Sequence, residues 1–233
     1  MKIFALNLCL DFVVRDPAQS YEIPPMSFAE LMGYFFKGTD YPGQIFYLEA
    51  ESGEEFANHL FELQQNDVFR EVLTTVKVVF KSQQWLDSFL EDWVDRFKQV
   101  DAAGGLVVNE DGEYLCIFNR NKWTLPKGRV EWLEPVETAA VREVQEETGI
   151  DTIFLQEKIG VTYHTFRRRR KWVLKITHWY KMKGSKEARL QPQKEEGIEE
   201  VAWISRQQWL EVASDSYPLT RHLFEEEFSL NVS

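Results

Sequence analysis

The 233-residue chain predicts an α/β fold: an α/β/α sandwich on a mixed sheet over residues 101–233, preceded by a small α+β domain over residues 1–100. Three observations carry this reading. Strand-like apolar runs alternate with helical stretches through the second part, and mixed strands with helices on both faces give a sandwich. Residues 136–148 contain neither Gly nor Pro and lie between Pro135 and Gly149, the punctuation of a helix start and a left-handed helix end. The chain is 44% hydrophobic and 14% aromatic, enough for the core of one large domain or two small ones.

The elements follow in order. Ile3–Val14 alternates as a strand; Asp11 interrupts its apolar start and no small-residue cleavage site follows, so it is not read as a signal peptide. Ser27–Phe36 has a capping serine and a helical pattern. Phe56–Leu63 is helical, and Gln44–Leu48 and Val72–Phe80 are strands. Gln84–Val100 carries Trp85, Leu86, Phe89, Leu90, Trp93, Val94 and Phe97 at helical spacing, the best amphipathic helix of the chain. A domain boundary is placed near Val100-Asp101. Ala102–Val108 and Glu113–Asn119 are strands joined by the turn Asn109-Glu110-Asp111-Gly112. Thr152–Phe166 and Lys171–Lys183 are long strands around an arginine tip. Glu199–Ile204 is a short strand with Trp203 facing inward. Ser205 caps a helix over Arg206–Ala213, and Tyr217–Phe228 forms the last helix.

The helix after Pro135 holds the chemistry. At 100° per residue, Glu143, Glu146 and Glu147 share an arc of about 100°, and Ala140, Val141 and Val144 form an adjacent apolar stripe. Like charges at i,i+3 and i,i+4 repel, so three acids beside an apolar stripe need a reason beyond solvation. Carboxylates suit Mg2+, which takes a few of them and completes its shell with waters and phosphates. The approach segment Trp123-Thr124-Leu125-Pro126-Lys127-Gly128-Arg129-Val130-Glu131 is rich in turn residues, and Gly128 allows a close backbone approach.

Gly128, Glu134, Arg142-Glu143-Val144, Glu146-Glu147 and Gly149-Ile150 fall at the spacing G-x5-E-x7-R-E-U-x-E-E-x-G-U, with U aliphatic. From average residue usage, a chance match in a chain this long has a probability on the order of 10⁻⁸, which excludes coincidence. The chain therefore resembles the Nudix hydrolases, which cleave nucleoside diphosphates linked to another group. The resemblance implies a Nudix sandwich with a loop–helix–loop catalytic unit. It implies that Arg142 pairs with Glu134 to brace the unit. It further implies that Glu143, Glu146 and Glu147 bind Mg2+, or Mn2+ in its place, and that the carbonyl of Lys127 adds a ligand. One departure is Leu133, after Trp132, where many members have glycine before the first box glutamate. Glu146 is the first choice of general base; members also take a base from a later loop, which here contains Glu195, Glu196 and Glu199, and the sequence does not choose among them.

On the substrate side, Arg167-Arg168-Arg169-Arg170-Lys171 concentrates five cations in an acidic protein. A solvated hairpin tip explains it; so does a clamp for polyphosphate, since guanidinium forks match phosphate oxygens. Lys127, Gly128, Tyr163, Lys175 and Tyr180 join Arg167, Arg168, Arg169 and Arg170 as candidate substrate contacts. Alternation puts Lys175 on the sheet face opposite His178 and Tyr180. His164 and His178 are read as ordinary polar residues. The lead-in Leu125-Pro126-Lys127-Gly128 and the Lys175 to Tyr180 strand resemble diadenosine polyphosphate and diphosphoinositol polyphosphate hydrolases.

The net charge of −11 argues against general nucleic-acid binding. The chain has 16 acids against 8 bases up to Val100, and 22 against 19 after it, so the bases concentrate in the half with the box. No apolar run reaches 18 residues, so no membrane span is expected. Cys9 and Cys116 lie far apart, which fits a reduced, cytoplasmic protein. The expected function is Mg2+-dependent hydrolysis of a phosphoanhydride, with a dinucleoside polyphosphate as the favoured small-molecule substrate. The alternative is a non-catalytic Nudix sensor of ADP-ribose or a nucleotide. Residues 1–100 are a candidate homodimerisation module.

Overall fold

The computed structural model describes residues 2–5, 8–14, 45–49, 74–80, 82–95, 97–168, 171–213 and 216–230. The chain divides into two units by its contacts: Met1–Gln99 with Tyr163–Leu174, and Val100–Thr162 with Lys175–Ser233. Among the described residues no helix is long and apolar enough to cross a membrane.

In the first unit the stretch expected as one strand is a hairpin. Strands β1 (Lys2–Ala5) and β2 (Leu8–Val14) pair antiparallel, Ala5 opposite Leu8. Strands β3 (Ile45–Glu49) and β4 (Thr74–Phe80) extend the sheet in the order β1-β2-β4-β3, with β4 parallel to both neighbours. On its other edge β1 runs parallel to Tyr163–Thr165. Helix α1 (Gln83–Asp95) follows, with Leu86 buried. The expected helix ran on to Val100; instead, the Phe97 N–H closes a tight turn on the Val94 carbonyl and strand β5 (Lys98–Val108) begins. The helical period continues past Asp95, but pairing of β5 within a buried sheet overrides it. The expected helices at 27–36 and 56–63 lie outside the described residues.

In the second unit the sheet runs β11-β6-β5-β10-β9, built from β5, β6 (Tyr114–Asn119), β11 (Ile198–Ile204) and the parts of β9 (Ile153–Arg168) up to Thr162 and of β10 (Lys171–Gly184) from Lys175. Its two faces carry separate cores because consecutive residues of a strand point to opposite sides. Val107, Leu115, Tyr180 and Met182 pack with Ala139, Ala140 and Val144 of helix α2 (Val136–Thr148). Their neighbours Leu106, Tyr114, Cys116 and Trp179 pack on the other face with Trp209 of helix α3 (Arg206–Val212) and with Leu223 and Phe224 of helix α4 (Pro218–Leu230). Helices thus cover both faces of a mixed sheet, the expected α/β/α sandwich. Cys116 is fully buried, and burial pushes its thiol pKa up, so it is a core residue.

Local chemistry sets the element ends. The Asn109 side-chain oxygen accepts from the N–H groups of Asp111 and Glu113, an Asx-type turn that delays β6 until Tyr114. Ser205 and Gln208 cap α3 reciprocally, the capping box. The approach segment read as a loop contains two short strands, β7 (Lys122–Thr124) on β6 and β8 (Lys127–Arg129) on β5. Three-residue strands leave no periodic signal.

Candidate active site

Helix α2 and the segment before it form one hydrogen-bonded unit. Pro135 is the N-cap, and Gly149 closes the helix at φ 75°, its N–H on the Gln145 carbonyl. Strand β8 anchors the incoming chain, with Ala103 opposite Gly128 and Gly104 opposite Lys127. The chain then turns at Glu131–Glu134, where the Glu134 N–H bonds the Glu131 carbonyl and the Glu134 carboxylate accepts from the Glu131 N–H at 2.9 Å. Trp132 and Leu133 occupy the tip, 90% and 85% exposed. Leu133 has φ 64°, a conformation that costs a non-glycine residue.

Arg142 joins this turn to the acids. Its Nε and Nη2 grip the two oxygens of Glu134 at 2.8 and 2.9 Å, a bidentate pair. Its Nη1 donates to Glu143 Oε1 at 2.9 Å and to Glu146 Oε2 at 2.8 Å, and Nη2 also reaches the Arg129 carbonyl at 3.0 Å. The guanidinium holds the Glu134 carboxyl well below the usual range, at about 2.

Glu143 and Glu147 are buried and Glu146 is exposed. Glu147 Oε2 accepts from the Lys127 N–H at 2.7 Å. A Cβ on Gly128 would come within 1.7 Å of Glu143 Oε2, so the absence of a side chain there is what lets the Glu143 carboxylate approach the strand. Burial raises the pKa of Glu143, and that of Glu147 to about 7, with Glu196 adding to both. Lys127 opposes the shift at Glu147. Burial brings Lys175 down to about 8, against the charges of Glu147, Glu196 and Glu143.

Two to three hard oxygen donors with partly uncompensated buried negative charge are the surroundings that suit Mg2+. Among the described residues no three His, Cys, Asp or Glu side chains are already converged on one point; Arg142 holds Glu143 and Glu146 by hydrogen bonds instead. The donor set fits a divalent cation in kind and burial, and those two side chains would have to share their oxygens with it.

The NUDIX domain family model matches residues 98–223, over half of the chain. The chain belongs to the Nudix family. It is 43% identical over 68 residues to a MutT-like protein of Streptomyces ambofaciens, covering 28% of this chain and 44% of that one. It is 44% identical over 56 residues to Nudix hydrolase 10 of Arabidopsis thaliana, covering 23% and 20%. The chain thus spans less than half the length of these curated relatives. Among solved structures, a MutT protein from Methanosarcina mazei Go1 aligns with TM-score 0.46 and 26% identity, covering 59% of this chain and 98% of that one.

The remaining candidates are placed less uniformly. Lys127, Gly128, Glu134, Arg142, Glu143, Glu146 and Glu147 come together on this Nudix loop and helix. The Tyr180 ring sits in the α2 core and its hydroxyl donates to Glu137 at 3.0 Å. Tyr163 lies opposite Ile3 in the first unit. Arg167 and Arg168 extend β9 rather than forming its tip, Arg168 is exposed, and Arg169 and Arg170 lie outside the described residues. His178 is 3.0 Å from Lys158 and 3.7 Å from Asp101, a surface polar network. Of the later acids, Glu196 contributes charge that raises Glu143 and Glu147.

Proposed function

We propose that this chain is a Mg2+-dependent Nudix pyrophosphohydrolase acting on a nucleoside-diphosphate-linked small molecule, with a dinucleoside polyphosphate as the favoured substrate. The observation that carries the reading is the pair of buried carboxylates, Glu143 and Glu147, held against Gly128 and the Lys127 N–H by a loop that Arg142 and Glu134 lock. Buried carboxylates of raised proton affinity are unfavourable until a cation or phosphate complex compensates them. Glu143, Glu146 and Glu147 would hold the ion, with the Lys127 carbonyl as a further donor. When bound, Mg2+ supplies neutralisation of phosphate charge and acidifies a water.

The chain's own groups supply the rest. Glu134 and Arg142 fix the angle between loop and helix, a positioning role. Lys127 and Lys175 bring positive charge to the acids, where phosphate oxygens would lie. A carboxylate takes the proton of the attacking water; Glu146, the exposed one of the three box acids on the helix, and Glu195, Glu196 or Glu199 of the later loop are the candidates. Attack on phosphorus breaks the P–O bond to the leaving phosphate or nucleotide. We also assign residues 1–100 a homodimerising role.

The test is hydrolysis of dinucleoside polyphosphates, diphosphoinositol polyphosphates, ADP-ribose and nucleoside triphosphates with Mg2+, with Glu146→Gln as the blank. Turnover of a dinucleoside polyphosphate that the variant loses supports the reading. Tight binding of ADP-ribose or a nucleotide without turnover of any substrate replaces it with the sensor reading.

A further inference from the structure

Strand β8 lies against β5 in the pairs Ala102–Arg129, Ala103–Gly128 and Gly104–Lys127. The Gly105 N–H donates to the Pro126 carbonyl and the Val130 N–H to the Asp101 carbonyl, each at 3.1 Å. Opposed residues of an antiparallel ladder alternate between exchanging two bonds and exchanging none. These two bonds therefore make Gly104–Lys127 and Ala102–Arg129 the pairs that exchange none. In such a pair the N–H and carbonyl of each residue turn away from the partner strand. The Lys127 N–H accordingly leaves β5 and reaches Glu147 Oε2 at 2.7 Å, and the Lys127 carbonyl leaves by the same edge. The register of β8 thus aims both backbone groups of Lys127 to the side from which Glu147 reaches in.

The closeness of this pair depends on one missing side chain. Opposed Cβ atoms in an antiparallel pair ordinarily stand about 4.5–5.5 Å apart. A Cβ on Gly104 would lie 2.4 Å from the Lys127 Cβ and 2.5 Å from the Pro126 carbonyl oxygen. That oxygen cannot swing aside, because it is backbone and holds the Gly105 N–H. A methyl group at position 104 therefore has to push β8 outward by about 1 Å to regain van der Waals distance. The next glycine is tight elsewhere: a Cβ on Gly105 would meet Met182 Sδ at 2.7 Å and Val144 Cγ2 at 3.0 Å, in the core under α2 and not in the loop.

We propose that Gly104 is a positioning residue: by carrying no side chain it lets β8 close onto β5, and this close pairing puts the Lys127 backbone against Glu147. Its effect in catalysis rests on the hydrolase reading, but the placement does not. Gly104 lies more than twenty residues before the first box glycine, on a strand that contributes no side chain to the acids. A displacement of about 1 Å at a reacting site is enough to cost on the order of 100-fold in rate.

The test starts from amide hydrogen exchange of the full chain without metal. In the parent, the Lys127 and Gly105 amides exchange at least about 100-fold more slowly than free amides; unprotected exchange at Lys127 overturns the proposal whatever any variant does. Gly104→Ala then speeds Lys127 by about 10-fold or more beyond the change at the Leu115 amide in the core. Val107→Ala, which opens a cavity on the same strand away from β8, speeds both amides equally. A Lys127 amide that merely follows Leu115 in Gly104→Ala overturns the proposal. The affinity for Mn2+ alone falls about 10-fold in Gly104→Ala and is kept in Val107→Ala. In a Glu147→Gln background the Gly104→Ala loss shrinks to under about 2-fold, since it acts through that carboxylate; an undiminished loss there, or none in the parent, again overturns it. On substrate, Gly104→Ala lowers kcat by about 10-fold or more with KM little changed, and a kcat equal to that of the parent counts against it. Inactivity of the parent on every substrate, with the exchange and Mn2+ patterns intact, removes the hydrolase reading and leaves the placement standing.

Discussion

At the scale of single residues, the site combines unfavourable local choices. Leu133 holds a positive φ where glycine would be unstrained, and the turn persists because Glu134 is bonded to Glu131 and gripped by Arg142. Leu133→Gly therefore raises stability by about 1 kcal/mol, whereas Leu133→Ala, which keeps the strain, leaves it unchanged; urea midpoints of both variants check this. Trp203 buries an indole N–H with no partner among the described residues. Trp203→Phe removes an unsatisfied donor and costs less than about 1 kcal/mol despite the lost ring volume.

Glu147 gives a pH dependence with a defined sign. Its carboxyl moves from the ordinary 4.5 to about 7 in the folded chain, burial being the main cause. The folded state then binds a proton more tightly than the unfolded one, so this group's contribution to stability falls as pH rises from about 4.5 to about 7. Without divalent cations, Glu147→Gln keeps an acceptor for the Lys127 N–H and gains stability relative to the parent across that window. A difference that stays flat between pH 4.5 and 7.5 would contradict the burial argument.

At the scale of elements, the box helix was legible because its signals are local. Pro135, Gly149 and the spacing of Glu134, Arg142, Glu143, Glu146 and Glu147 give the start, the stop and the working face, and the Arg142–Glu134 pair stands where the family pattern puts it. Strands β7 and β8 were not legible, because three residues cannot show a period. The helix overran into β5 because Phe97 continues an apolar spacing that only the sheet interrupts. Glu195, Glu196 and Glu199 were not separable in the sequence, because nothing local distinguishes three acids of one loop. Arg142→Lys tests the loop–helix unit as a whole. An ammonium cannot reproduce the fork on Glu134 together with the bonds to Glu143, Glu146 and the Arg129 carbonyl. The expected result is a loss of about 2 kcal/mol in stability and a fall in kcat well beyond any change in KM.

At the scale of the whole molecule, the sandwich follows from strands whose successive residues serve two cores. That pattern is readable in Leu106-Val107, Tyr114-Leu115-Cys116 and Trp179-Tyr180. The arginine run is different: its cations suggested polyphosphate, yet Arg167 and Arg168 continue strand β9 within the first unit. Composition shows that such a run exists, and only tertiary structure decides what it serves. A homodimer through residues 1–100 predicts a solution mass twice the 27.5 kDa of the chain by light scattering; a single-chain mass at micromolar concentration would remove that assignment.

The central claim is that the buried acids of the Nudix helix carry metal-dependent hydrolysis. The most direct measurement is the rate of diadenosine tetraphosphate cleavage with and without Mg2+, for the parent and for Glu143→Gln and Glu147→Gln. The account predicts turnover only with Mg2+, reduced at least about 100-fold in each variant while the fold is kept. Undiminished turnover in either variant, or turnover that persists in excess chelator, would contradict it.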